Sequence, residues 1–210
     1  VNRGVKDGHG ISALLRERTR AEHEATEAVV ARRGFFASRD RYREYLRHFY
    51  GIHRVVDAPL ARALERAGLA DARDRAKARL LAEDLVALGD EPAEVEALPR
   101  IAVSALPDLA DTLQAVGAAY VLEGASLGGR VILRSVGRAL GVADGPGAAF
   151  LTGYGEATRA RWMTFRQFMD ELVVGPEAAE VVVAAAKTTF GAVRACLDGR
   201  ESGERGERPR

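Results

Sequence analysis

The sequence predicts an all-α fold, a helical bundle formed by one domain. Apolar residues recur at steps of three and four almost throughout, no stretch alternates convincingly at period two, and no internal repeat is visible. With 210 residues and one cysteine, Cys196, the chain suits a single core closed without disulfides.

Ile11, Leu14, Leu15, Thr19, Thr26 and Val30 define a first helix over residues 12–31, with Ser12 as its cap and Gly34 beyond its end. Ser38 opens a second helix carrying Tyr42, Tyr45, Leu46, Phe49, Tyr50 and Val56, until Pro59 kinks it or starts a new one. A third amphipathic helix spans 71–88 around Leu80, Leu81 and Leu85, closed by Gly89. The stretch 90–107 reads as a connector. Residues 108–140 are helical in pattern yet hold Gly117, Gly124, Gly128, Gly129 and Gly137, each costing about 1 kcal/mol against alanine inside a helix. A DGPG turn at 144–147 and helices over 156–174 and 177–197 complete the series. The resulting organisation is a flexible N-terminus at 1–11, a folded domain at 12–198 and a disordered tail at 199–210.

The 31 Lys and Arg nearly balance the 30 Asp and Glu, so nothing in the charge calls for a nucleic-acid partner. The first ten residues lack the apolar run of a signal peptide, and no 18 apolar residues run uninterrupted by charge. The expectation is a cytoplasmic protein without a membrane partner.

The four histidines are unequal. His9 falls in the N-terminal stretch, and His48 and His53 are five apart, off a common helical face. His23 flanks the apolar face of the first helix, with Arg16 and Arg20 seven and three residues before it on nearly the same side. An imidazole there can bind iron while cations meet an acid at the rim, or it can be a structural interface residue. In YVLEGASLGGR, residues 120–130, Gly124 and Gly128 share a face and Gly129 adjoins them. Such a strip lets backbone approach a flat ligand or another helix. It is no phosphate loop, because no strand precedes it and the Lys with Ser or Thr is missing.

LLRERTRAEHEATEA at 14–28 resembles the proximal-helix motif of the haem oxygenase family, and YVLEGASLGGRVILR at 120–134 resembles its glycine-rich distal helix. AAKTTF at 185–190, RWMTFRQFMDEL at 161–172 and YREYLRHFYGIHRVVDAPL at 42–60 are similar to further segments, so the resemblance spans roughly 12–197 in the family's order. It implies a haem-oxygenase-like bundle with His23 as proximal iron ligand. It also implies Arg16, Arg20 and Arg166 as propionate partners, Gly124, Gly128 and Gly129 as distal wall, and Tyr120 and Phe190 as pocket neighbours. One position departs from mammalian members, which carry an aspartate directly after the first distal glycine; this chain has Ala125, as bacterial relatives commonly lack that acid too.

The implied activity is the bacterial biliverdin-producing one. Haem is both cofactor and substrate, O2 and external electrons are consumed, and biliverdin, carbon monoxide and ferrous iron result. No dinucleotide fingerprint is present, so a ferredoxin or a reductase is the expected electron donor, and a bilin-binding photoreceptor is a candidate product acceptor. Two other readings stand beside it. A haem carrier without turnover would use the same residues, and a di-metal oxidase on a related scaffold would begin from the pair Glu44 and His48, though no second set is visible.

Overall fold

A computed structural model describes residues 10–142 and 146–199. His9, most of the expected flexible N-terminus, residues 144 and 145 of the DGPG turn, and the tail from 200 lie outside the described residues. Among the described residues every regular element is helical.

The expected first helix is two: α1 (Ile11–Arg18) and α2 (Arg20–Arg33). Backbone bonding continues through the junction, from Thr19 N–H to Leu15 O at 2.9 Å and from His23 N–H to Thr19 O at 3.0 Å. The Thr19 hydroxyl also donates to Leu15 O at 2.8 Å. That extra donor on one carbonyl bends a helix, and Thr19 sits off helical geometry at φ −112° and ψ 11°. Ser12 is not a cap, because Gly10 holds that position and Ser12 lies inside α1. α2 ends at Gly34, whose left-handed φ of 60° suits glycine.

Ser38 caps α3 (Arg39–Arg66) as expected, accepting from the Arg41 N–H at 3.3 Å. Pro59 does not start a new helix; α3 runs through it, burying the predicted aromatic stripe. The third predicted helix begins later than its periodicity suggests. A short 3-10 turn (Arg73–Arg75) precedes α4 (Ala78–Ala87), and the carboxylate of Asp57 on α3 accepts the Lys77 and Ala78 N–H groups at 2.8 and 2.7 Å. This cap from another helix fixes the start of α4, while residues 71–77 turn Arg75 and Lys77 inward. The connector holds the short α5 (Pro92–Glu96) and a 3-10 turn (Val103–Ala105).

The glycine-bearing segment is one helix, α6 (Thr112–Leu140), capped by Asp111 and ended by left-handed Gly141. α7 (Ala149–Thr152) takes its cap from Asp84 on α4, which accepts the Ala149 and Phe150 N–H groups at 2.8 Å each. α8 (Thr158–Leu172) and α9 (Pro176–Leu197) follow. α9 packs along both α6 and α2, α1 leans on α8, and α3 supports α4 and α6. α6 is long and apolar enough to cross a membrane by composition, but half of its most apolar stretch is buried inside the domain, as in a core helix.

Candidate functional site

His23 projects from α2 one turn after the Thr19 bend. Its side chain is 59% exposed, and Nδ1 lies 3.6 Å from the Glu27 carboxylate one turn on. The ring meets Phe190 of α9 edge-on, centroids 6.0 Å apart. Arg18 binds Glu180 through two bonds of 3.0 and 3.1 Å, and Lys187 reaches Glu22 at 3.4 Å. These pairs lie along the seam between the first two helices and α9, and so hold His23 over Phe190. With Nδ1 turned to Glu27, Nε2 is the nitrogen available to a metal.

The glycines of α6 divide into two sets. A Cβ at Gly124 or Gly128 would meet nothing within 4 Å, so both lie on an open strip. Gly129 does not belong to that strip: it is buried, and its Cβ would stand 3.0 Å from Leu151 O and 3.2 Å from Leu151 Cα. Close packing on α7 accounts for the missing side chain of Gly129, so among the three glycines of the motif only Gly124 and Gly128 leave open space. Gly117 likewise faces the backbone of α9 at Val182.

Tyr120, one turn before Gly124, shows which way the open strip looks. Burial pushes its phenol up, opposed by the Thr19 side chain within hydrogen-bonding reach and by the charges of Arg16 and Arg166. The open side of α6 therefore lies toward the α1–α2 junction and α8. Arg166 is half-buried, with Nε donating to Ser12 Oγ at 2.8 Å, and Trp162 one turn earlier packs on Tyr120, centroids 5.9 Å apart. Arg16 is exposed on α1. Arg20 is exposed in the first turn of α2.

Behind α6 lies a buried polar cluster that the sequence reading missed. Glu123 accepts from Arg75 Nη1 and from the Tyr154 hydroxyl at 2.8 Å each, with Lys77 Nζ at 3.7 Å. Arg75 also grips Asp71 through two bonds of 2.9 Å, and His53 Nδ1 lies 2.7 Å from Asp57. Burial lowers the Lys77 ammonium pKa, while burial and Glu123 push the Tyr154 phenol up. A cavity of about 20 Å³, water-sized, is bounded by His53, Asp57, Arg75 and Glu123. The one available signal was a glutamate placed inside an apolar helical run.

Position 125 carries no carboxylate, and the nearest hydroxyl, Ser126, is buried toward Gly153. Glu44 is bound by Arg33 and by Arg41 at 2.9 Å and also lies 3.9 Å from His48 Nε2. No group of three or more His, Cys, Asp or Glu side chains shares a metal-sized site among the described residues.

An exposed imidazole on α2, an open strip without side chains on α6 and two arginines with a tyrosine are the residue types that fit an iron-centred, flat, dianionic ligand such as haem. The heme oxygenase family model matches residues 9–198. The chain belongs to the haem oxygenase family, whose general function is haem degradation. Solved structures share its fold. The NO- and CO-bound haem oxygenase of Neisseria meningitidis is 23% identical, with a TM-score of 0.75 over 95% of this chain and 99% of its own. The haem oxygenase of Leptospira interrogans is 21% identical, at 0.70 over 91% and 100%. That of the cyanobacterium Synechocystis, solved in complex with haem, is 18% identical, at 0.71 over 91% and 92%. No curated protein matches the chain.

Proposed function

We propose that this chain binds haem between α2 and α6 and degrades it to biliverdin, carbon monoxide and ferrous iron, using O2 and electrons from a ferredoxin or reductase. The observation that carries the reading is the open strip at Gly124 and Gly128, one and two turns beyond a Tyr120 that feels the charges of Arg16 and Arg166; the exposed His23 imidazole on α2 supports it.

When bound, haem supplies the oxygen-binding and redox chemistry. His23 would hold the iron through Nε2, oriented by Glu27 and backed by Phe190. Arg16, Arg166 and Tyr120 take the propionates, with Arg20 as a further cation at the mouth. Gly124 and Gly128 would line the oxygen side, where their absent side chains would leave room for the ligand. Gly129 serves them indirectly by seating α6 on α7. With Ala125 in place of an acid and Ser126 turned inward, protons would have to reach that side through water, not from a side chain at 125 or 126. A bilin-binding photoreceptor is a candidate recipient of the product, and the cytoplasm its compartment.

The test is incubation of the purified protein with haem and a reductant under air. Loss of the Soret band with appearance of a bilin spectrum supports the enzyme. An intact Soret band under the same conditions supports a carrier and contradicts turnover.

A further inference from the structure

Ser12 is the one polar residue on the buried side of α1, beside Ile11 and Leu15, at 6% exposure. Serine is a poorer helix former than alanine, so a buried serine that caps nothing needs another cause. Its Oγ accepts the Nε–H of Arg166 at 2.8 Å, across from α1 to α8. An arginine held by Nε keeps Nη1 and Nη2 for other acceptors, and its guanidinium plane no longer turns freely. Thr19, the other buried hydroxyl of this region at 2% exposure, is bound instead to its own helix, donating to Leu15 O at 2.8 Å.

We propose that Ser12 is a positioning residue that fixes the Arg166 guanidinium and so selects how haem is seated in its own plane. The inference rests on the reading above that this rim takes the propionates. A carboxylate seated against a plane of fixed direction has one preferred approach, whereas a freely rotating arginine offers several. In-plane seating decides which meso edge lies under the open strip of Gly124 and Gly128. Ser12 therefore acts on the product isomer and on haem orientation more than on affinity.

The experiment compares wild type with Ser12→Ala, Ser12→Thr and Arg166→Ala. It reads apo-protein thermal unfolding, haem affinity, the haem-methyl resonances of the ferric complex by proton NMR, and the bilin isomers by chromatography. Ser12→Ala should keep the histidine-ligated Soret band and lose less than about tenfold in affinity. It should show a second set of haem-methyl resonances and a several-fold rise in minor isomers. Ser12→Thr, which keeps the hydroxyl, should restore the wild-type pattern. A single wild-type set of resonances and isomers from Ser12→Ala overturns the inference. If Arg166→Ala then still alters seating, the propionate reading survives without it. Should Arg166→Ala change nothing either, or wild type bind no haem through histidine, both fall.

Discussion

His23 stands edge-on to Phe190, ring centroids 6.0 Å apart and planes at 81°, with Nδ1 on the side of Glu27. A carboxylate facing Nδ1–H raises the donor strength of the opposite nitrogen. Glu27→Gln is therefore expected to lower the iron–histidine stretching frequency and raise the reduction potential, both slightly, because the His23 and Glu27 side chains are 59% and 69% exposed. Resonance Raman on the ferrous complex checks it. An unchanged frequency would show that water, not Glu27, partners Nδ1.

The two kinds of glycine on α6 separate function from packing. Gly128→Ala should leave apo stability unchanged or raise it by up to about 1 kcal/mol, since a Cβ there meets nothing within 4 Å, while lowering bilin yield. Gly129→Ala should destabilise by about 1–3 kcal/mol because the Leu151 backbone must move. Thermal unfolding of both apo-variants beside bilin yield per haem is the measurement. A wild-type yield from Gly128→Leu would remove this strip from the oxygen side.

Asp57 is expected to govern part of the acid limb of stability. Burial alone would raise its carboxyl pKa, but His53 and the backbone N–H groups of Ala78 and Lys77 outweigh it and hold the group below its ordinary 3.8. The unfolded chain then binds this proton more readily than the folded one. The stabilisation is complete above the ordinary aspartate range and is lost as pH falls through the folded value. Asp57→Asn should cost about 1–3 kcal/mol near pH 7, a difference that shrinks below pH 4. Urea unfolding across pH reads it; a pH-independent difference would contradict the assignment.

Removing Glu123 leaves Arg75 and Lys77, both buried, without their shared acid on α6. Glu123→Ala should therefore cost about 3–5 kcal/mol in chemical denaturation. Glu123→Gln, which still accepts from Arg75, should cost less. Equal small losses from both would mean the cluster contributes little to holding α6.

The helical class and most element order were readable because apolar spacing reports burial directly. Ser38, Gly34 and Gly89 start or stop helices through local geometry that the sequence records. What was hidden is long-range. The start of α4 depends on Asp57, 20 residues earlier, reaching Lys77, and α7 depends on Asp84 from α4. The Thr19 bend arises from a side-chain bond that leaves the apolar period unbroken. Within the site, His23 and the Gly124–Gly128 spacing were legible, whereas Gly129 shared their motif and differs only by facing another helix. Ser12 reads as a cap because its Arg166 partner lies on α8, and Thr19 as part of the apolar period because its side-chain bond leaves that period intact. Glu27, four residues after His23 on the same helix, was spaced to be seen, and the sequence reading missed it.

The central claim is that His23 binds the iron of haem that this chain then degrades. It is tested most directly by adding haem to His23→Ala beside wild type, recording the absorption spectrum, then adding reductant under air with and without imidazole. The account predicts that the alanine variant loses the histidine-ligated spectrum and forms no bilin, and that imidazole restores both. A wild-type spectrum and bilin yield from His23→Ala without imidazole would contradict it and move the ligand elsewhere.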